Sequence, residues 1–366
     1  MEQNTTARQS LTNRMFVGLD LASKISTYHV LDASGETVCT GTVRTQRADL
    51  ERTFAPFVPA VIAMETGSVS RVADEVLSSQ GHTVVVGNPR RIAAIFSNVK
   101  KCDKVDAAML AELVRVSPRL LSPIQHRTAT AHGGLTLIRA RDANVRARAT
   151  QINLVRGMAK SYEFQLPSCD AENFTRVVRP LVDQTEFGQM LAPTLDVIAA
   201  QTVAIAQFDA KIKAYSDKHV PQAKQLAAIP GVGPLTAMAF ALTVDDPHRF
   251  PNYRAVGAYL GLVPRRDQSG DVDKRLPITK CGDPLTRRLL VQCGQVILQE
   301  RTKPTDLKRF GERLMGTVGS RRKRAVVAVA RKLAVHMWTI MRSGKDYDPN
   351  HLKKKEQGRE NHPALA

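Results

Sequence analysis

The sequence has 366 residues, which is enough for two or three domains with cores of their own. Its hydrophobic content of 43% and charged content of 24% are typical of a soluble globular protein. Lysine and arginine together number 53 against 34 acidic residues, and the resulting charge of +19 favours a polyanionic partner, most often nucleic acid. An anionic membrane is the weaker alternative, because no basic amphipathic helix or lipidation motif stands out.

The positive charge is concentrated toward the end of the chain. Residues 1–120 carry 14 basic and 12 acidic side chains, residues 121–225 carry 13 and 9, and residues 226–366 carry 26 and 13. The net charges of the three regions are therefore +2, +4 and +13. We expect most contacts with a polyanion in the last of them.

The cysteines and the apolar runs bound the cellular context. The five cysteines show no CxxC pair and no histidine spacing suited to zinc, so we expect free thiols in a reducing cytoplasm. The N-terminal residues are too polar for a signal peptide. No apolar run is expected to be long enough to span a membrane. The nearest, VVAVARKLAVHMWTIM, is interrupted by Arg331 and Lys332 and is predicted to be a core helix.

The first region, residues 1–122, alternates between predicted strands and helices. Apolar runs bounded by turn residues predict strands at 15–23, 26–32, 36–45, 60–68 and 82–89. Helices are predicted at 70–81, where Gly81 ends the helix, and again after the last strand. Three strands followed by alternating helix and strand indicate an α/β sheet with one antiparallel edge.

The middle region, residues 123–222, shows helical periodicity in place of strand signals. Apolar residues recur every seven positions at Ile138, Val145 and Ile152 and at Ile198, Ile205 and Ile212. This weak heptad pattern suits a long helical hairpin or a coiled coil, and an ordinary helical bundle is an equally good interpretation.

The last region, residues 223–366, opens with LAAIPGVGPLTAMAFALTV. The pattern predicts a helix, a PGVG hairpin and a second helix at the start of a mainly helical domain. Gly231 and Gly233 would let backbone N–H groups approach a phosphate closely. A plain turn between helices is the alternative, and the high local charge favours phosphate contact.

Four carboxylates are candidates for a metal site. Asp20 is predicted inside an apolar strand, where an unpaired charge is costly, and Glu65 ends a second apolar strand. Asp103 and Asp106 lie three apart on one face of a predicted helix, although capping of the helix start would also explain them. Convergence at one sheet edge would provide oxygen ligands that suit Mg²⁺ and can clamp a phosphoryl transfer.

Ser269 is a candidate nucleophile. It precedes a glycine in a predicted polar loop flanked by arginines, where a Ser-Gly surface turn is the plain alternative. A free hydroxyl is a weak nucleophile and needs activation, while nearby cations would hold a phosphate and stabilise its developing charge. The neighbouring cations are Arg265, Arg266, Lys274 and Arg275.

The pattern as a whole resembles the DEDD transposases of bacterial insertion sequences that are related to the pilin-gene invertase. Characterised members of this family are bridge-RNA-guided serine recombinases. The resemblance spans nearly the whole chain. It rests on GLDLASK, AMETGS, KCDKVDAAMLAEL, IPGVGPLTA, VGAYLGLVPR, the Ser-Gly pair and RRKRAVVAVARKLAVHMW.

The resemblance implies an N-terminal RuvC-like domain on an RNase H fold, a coiled coil and a C-terminal transposase domain. It implies that Asp20, Glu65, Asp103 and Asp106 hold Mg²⁺. It also implies that Ser269 forms a 5′-phosphoserine link with DNA, and that the DNA strand is then rejoined without ATP. The implied partners are donor and target DNA, a structured guide RNA and further copies of the chain in a dimer or tetramer, in the nucleoid of a bacterial cytoplasm. Nucleic-acid contacts are predicted at Gly231, Gly233, Arg265, Arg266, Lys274, Arg275, Arg321, Arg322, Lys323 and Arg324.

Three other functions are weighed against this one. A metal-dependent Holliday-junction nuclease would use the four acids and no serine. An actin-like or sugar-kinase ATPase is disfavoured, because no second phosphate-binding glycine hairpin occurs in the expected repeat. A non-catalytic nucleic-acid-binding protein would explain the charge but not the carboxylates in apolar strands.

Overall fold

The computed structural model describes residues 14–95, 102–269, 272–316 and 321–350. The chain divides into two compact units, Met1–His126 and Arg127–Ala366, and each has hydrophobic clusters of its own. The first boundary lies close to the predicted one at 122, while the predicted division at 222 stays a prediction.

The first unit is built on a five-stranded sheet in the order β3-β2-β1-β4-β5. The strands are β1 (Met15–Asp20), β2 (Ile25–Leu31), β3 (Thr37–Arg44), β4 (Ala60–Glu65) and β5 (Thr83–Gly87). β2 pairs antiparallel with β1 and β3, whereas β4 runs parallel to β1 and to β5. The predicted α/β sheet with one antiparallel edge is confirmed.

Helices lie on both faces of this sheet. They are α1 (Arg47–Phe54), α2 (Ser70–Ser79), α3 (Pro89–Ile95) and α4 (Asp103–Val116). Val17 and Leu19 of β1 belong to the cluster that holds the buried side chains of α1 and α2. Val61 and Ala63 of β4 belong to the opposite cluster, with the buried leucines of α4. Since side chains alternate along a strand, the face of each strand residue follows from its position.

Two long helices in the second unit form an antiparallel hairpin. They are α5 (Ala129–Ser161) and α7 (Glu186–His219), with the short helix α6 (Phe174–Val182) between them in sequence. Partners run in opposite order along the pair, because Arg148 donates to Thr202 at 3.2 Å and Tyr215 donates to the carbonyl of Thr130 at 2.9 Å. The predicted heptad positions are buried except Val145, which is partly exposed.

In the described part of the second unit, the remaining elements are helices and one two-stranded ribbon. Its elements are α8 (Gln222–Ala227), α9 (Pro234–Val244), α10 (Tyr253–Tyr259), β6 (Pro264–Ser269), β7 (Val272–Ile278), α11 (Pro284–Ile297), α12 (Asp306–Met315) and α13 (Arg322–Ser343). α9 is buried along its length from Thr236 to Val244. Val329, Leu333 and Met337 of α13 are fully buried, which confirms the predicted core helix. The same cluster includes Leu135 of α5.

Among the residues that the structure describes, one helix is long and apolar enough to cross a membrane by length and composition. It is α7, and 17% of its most apolar window is buried. The expectation that no such run exists, with residues 326–341 the nearest, was therefore wrong. One helix of this kind is weak support for a membrane span, because core helices of soluble proteins pass the same test.

Candidate functional site

Asp20 and Glu65 end neighbouring parallel strands at the same edge of the sheet. Leu19 of β1 pairs with Met64 of β4, so the next residue of each strand is the acid. Adjacent strands lie about 4.8 Å apart. Both acids are half-buried. The structure corrects one expectation, since Asp20 is the last residue of β1 and does not lie in the middle of a strand.

Both carboxylates belong to the sheet face that α4 covers. Asp20 alternates with Gly18, and a Cβ atom added at Gly18 would lie 1.9 Å from the carbonyl oxygen of Ala107 in α4. Glu65 alternates with Ala63, whose side chain lies in the cluster formed with α4. The glycine therefore allows α4 to cross β1 in direct backbone contact, two residues before Asp20.

Asp103 and Asp106 occupy the first turn of α4. Asp106 directly precedes Ala107 and is half-buried, whereas Asp103 is exposed. No side chain caps this helix start at Cys102. Acids in a first turn also suit the helix dipole, so this position agrees with the dipole part of the capping interpretation and with the metal interpretation.

The donor chemistry of these acids fits a hard divalent cation such as Mg²⁺. Among the described residues, however, no three His, Cys, Asp or Glu side chains form a ready group for a metal ion. Like-charged carboxylates repel each other, so a compact arrangement is expected only with a cation between them. The structure thus places Asp20, Glu65 and the start of α4 on one face of the sheet.

Ser269 is the last residue of β6 and is exposed. Its backbone pairs with Val272 of β7, so the serine lies at the far end of the ribbon formed by β6 and β7. The prediction of a loop was wrong at this point. Every residue of β6 is exposed, so the segment PRRDQS has no apolar alternation by which a strand could be recognised.

The predicted cations of the ribbon differ in their surroundings. The Nε and Nη2 atoms of Arg266 donate to the carboxylate of Asp273 at 2.8 and 3.0 Å, so this guanidinium is already paired across the ribbon. Arg265 and Lys274 are exposed. The side chain of Arg275 lies outside the described part of the structure.

The PGVG turn joins α8 to α9 as predicted. Gly231 has a φ of +88°, and a Cβ atom there would lie 2.7 Å from the side chain of Ile297. Packing therefore requires this glycine, with or without a phosphate. Around Gly233 a Cβ atom would meet nothing within 4 Å, so the turn is open at that residue. Phosphate contact by the two glycines stays a prediction.

The start of α13 concentrates exposed cations. Arg321 precedes the helix, and Arg322, Lys323 and Arg324 form its first turn. All four are exposed. The positive end of a helix dipole disfavours cations, so a bound polyanion would relieve this repulsion.

Sequence reasoning missed the groove beside α13, which Tyr253, Arg331 and Lys332 help to line. The two cations were interpreted only as interruptions of an apolar run. A usable signal was present, because Arg324 and Arg331 are seven residues apart and therefore share one helical face.

Comparison with known proteins identifies the family. A model described as Transposase IS116/IS110/IS902 family matches residues 223–310, and a transposase model of the IS110 DEDD type matches residues 17–163. The transposase for insertion sequence element IS1111A of Coxiella burnetii is 26% identical over 93% of this chain and 93% of its own length. A probable family 20 transposase of Pseudomonas aeruginosa is 28% identical over 91% of this chain and 98% of its own length. The pilin gene-inverting protein of Moraxella lacunata is 27% identical over 35% of this chain and 39% of its own length. The chain belongs to the IS110/IS116 family of insertion-sequence transposases, enzymes that cut and rejoin DNA.

Proposed function

We propose that this transposase cuts DNA by attack of the Ser269 hydroxyl on a backbone phosphate. The Oγ–P bond forms as the P–O3′ bond breaks, the serine proton is lost to solvent, and the departing 3′ oxygen takes up a proton. A 3′ hydroxyl then attacks the 5′-phosphoserine ester, which releases the serine and reseals the strand without ATP. Exposure of Ser269 at the end of a basic ribbon supports this role.

We propose that the enzyme uses Mg²⁺ and that Asp20, Glu65, Asp103 and Asp106 hold this ion. The observation that carries this assignment is that Asp20 and Glu65 end paired parallel strands on the face that α4 covers. Bound Mg²⁺ would offset charge on the scissile phosphate. The sheet order supports a RuvC-like RNase H fold, the α5–α7 pair supports a coiled-coil segment, and the α8–turn–α9 unit supports a helix-hairpin-helix-like element.

Asp106→Asn tests the metal site. The amide keeps the shape of the side chain, so the fold should persist while strand cleavage is lost and Mg²⁺ binding weakens by calorimetry. Glu112→Gln is a matched control, because it removes one exposed charge from the same helix. Normal cleavage by Asp106→Asn would return Asp106 to a capping role.

Ser269→Ala tests the nucleophile. Recombination should be eliminated, while affinity for DNA should stay near normal because phosphate charge dominates binding. Wild-type protein stalled on nicked DNA should yield a denaturant-resistant adduct that maps to the peptide with residues 267–274. Ser343→Ala, an exposed serine of the same unit, should behave like the wild type.

Two tyrosines are the obvious competing nucleophiles. Tyr259 is already engaged, because its hydroxyl accepts from Arg127 at 2.8 Å and donates to the carbonyl of Thr243 at 3.2 Å. Tyr253 is 51% exposed. An adduct that maps to Tyr253, or that survives in Ser269→Ala, would overturn the serine assignment.

The alternative is a metal-dependent Holliday-junction nuclease that uses only the four carboxylates. It would cleave with water and leave no protein–DNA adduct. Cleavage that persists in Ser269→Ala and is abolished in Asp106→Asn would establish this alternative.

We further propose that a structured guide RNA binds the chain, that the enzyme acts as a homodimer or tetramer, and that it works at the nucleoid in the cytoplasm. The acids lie in the first unit and the serine in the second, so a site completed by another copy is feasible. Mixing Asp20→Asn with Ser269→Ala protein should then restore some activity. Co-assembled variants that stay inactive would indicate sites within one chain. Sequencing the nucleic acid that copurifies with the protein tests the RNA.

A further inference from the structure

A groove of about 1090 Å³ opens in the second unit beside the ribbon formed by β6 and β7, at the end away from Ser269, which we call the ribbon base. Residues of the ribbon base form one wall, namely Pro264 at the start of β6 and Leu276 near the end of β7. Tyr253 of α10, Phe310 of α12 and one face of α13 contribute the rest. The floor is largely apolar, and the groove is directly connected to the strand that carries Ser269.

The α13 face combines apolar and cationic side chains in one stripe. Its lining residues recur at the spacing of a single helical face, namely Arg324, Val327, Ala328, Arg331, Lys332 and Val335. Lys323 also lines the groove. Among the described residues, no acidic side chain lines it, so its charge is complementary to an anion.

The inner cations are held by specific packing. A Cβ atom at Gly257 would lie 3.1 Å from the Nε atom of Arg331, so the glycine of α10 makes room for this guanidinium. The Nζ atom of Lys332 lies 4.3 Å from the ring centre of Phe310. Burial, together with nearby Arg313, lowers the pKa of Lys332 although Asp306 opposes the change. None of the ion pairs among described residues involves the four groove cations.

We propose that this groove binds an unpaired stretch of the DNA strand next to the phosphate that Ser269 attacks. An aromatic side chain among apolar lining residues suits a nucleobase, and the cations suit the phosphates on either side of it. Paired DNA cannot use the floor, because its base faces are stacked within the duplex. The position of the bound segment along the DNA strand rests on the proposed role of Ser269. The preference for unpaired DNA follows from the groove alone.

The ribbon sets the expected distance. Five residue steps separate Pro264 from Ser269, which corresponds to about 17 Å along a strand. At about 3.4 Å per stacked nucleotide, this distance covers about five nucleotides. The bound unpaired segment should therefore begin within about five nucleotides of the attacked phosphate.

The first test measures binding without chemistry. Single-stranded and duplex oligonucleotides of equal length are titrated, at one salt concentration, into full-length Ser269→Ala protein that also carries Tyr253→Ala. Loss of one base stack should weaken single-strand binding about 5- to 150-fold and change duplex binding less than about twofold. Tyr253→Phe, which keeps the ring, should restore single-strand binding. Tyr162→Ala, which removes the exposed tyrosine directly after α5, is the matched control.

The second test locates the strand. A photoreactive thiothymidine is placed at successive positions from a nick, and crosslinked peptides are mapped. Crosslinks to the groove should peak within about five nucleotides of the nick. Equal losses of single-strand and duplex affinity, or no loss, would overturn the groove as a site for unpaired DNA and leave the serine assignment intact. Selective single-strand binding with crosslinks that ignore the nick would overturn the placement beside Ser269.

Discussion

Gly18→Ala should separate the carboxylates without unfolding the first unit. The added Cβ atom would lie 1.9 Å from the carbonyl oxygen of Ala107 and 2.5 Å from the backbone nitrogen of Ala111. Real Cβ atoms essentially never approach another atom closer than 3.0 Å, so α4 must move by about 1.1 Å or more. Both atoms belong to helix backbone, and a side-chain rotation cannot relieve the contact.

The displacement should reduce activity more than stability. Overpacking of a core typically costs about 1 to 3 kcal/mol, which urea unfolding would measure. A misplacement of about 1 Å in a catalytic arrangement can cost about 100-fold in rate. Because α4 carries Asp106 one residue before Ala107, cleavage of labelled DNA should fall by about that factor and Mg²⁺ affinity should fall with it.

Gly41→Ala is the matched control in the same sheet. A Cβ atom there would also be crowded, at 2.6 Å from the hydroxyl oxygen of Tyr28, but the neighbour is the tip of a side chain. This variant should lose some stability and keep its cleavage rate. Wild-type cleavage and Mg²⁺ affinity in Gly18→Ala would refute the view that close contact between α4 and β1 positions Asp106.

Three further outcomes are expected. His82 is 5% exposed, and burial lowers its pKa in the folded state. As the pH drops below about 6.5, the unfolded state therefore binds a proton before the folded state does, and the free energy of unfolding should fall. The His82→Gln variant should lose this dependence. Burial alone would raise the pKa of Asp283, but the hydrogen bonds from the N–H of Thr286 and the guanidinium of Arg139 lower it. The stability that Asp283 contributes should therefore be lost only at acidic pH. Asp283→Ala should cost about 1 to 2 kcal/mol by urea unfolding at pH 7. A fragment of residues 127–366 should retain most of the slope of log K for DNA binding against log salt concentration, to which each phosphate contact contributes about −0.9. An equally steep slope for residues 1–126 would contradict the charge argument.

The sheet was predictable because its strands are apolar runs bounded by turns. The end of β1 was not, since Leu21 continues the apolar run after Asp20. In the structure the pairing of β1 with β2 ends at Asp20 and Thr27, and the backbone nitrogen of Ala22 donates to the hydroxyl of Ser26 at 3.2 Å. Competition between this turn and strand extension is a local hydrogen-bonding effect that hydrophobic pattern alone does not report.

The candidate residues could be named from the sequence, and their roles stay predictions, but the contacts that support them could not be foreseen. The role of Gly18 follows only from its close contact with α4, which comes about 90 residues later in the chain. Gly257 likewise makes room for Arg331, which lies on a different helix. A single sequence shows the residue types and their local spacing, whereas these close approaches join segments that are far apart in the chain.

The two halves of the proposed chemistry are supported in physically different ways. Asp20 and Glu65 end buried strands, so their backbone positions are fixed by the pairing of β1 with β4 and by the packing of α4. Ser269 stands at the end of a ribbon whose first strand is exposed throughout and whose Arg266–Asp273 pair is solvent-accessible, a contact that contributes about 1 kcal/mol at most. Metal ligands must be held close to one geometry, whereas a nucleophile that stays bonded to a DNA end benefits from a support that can follow it. A rigid sheet edge for the carboxylates and an exposed ribbon for the serine meet these two requirements.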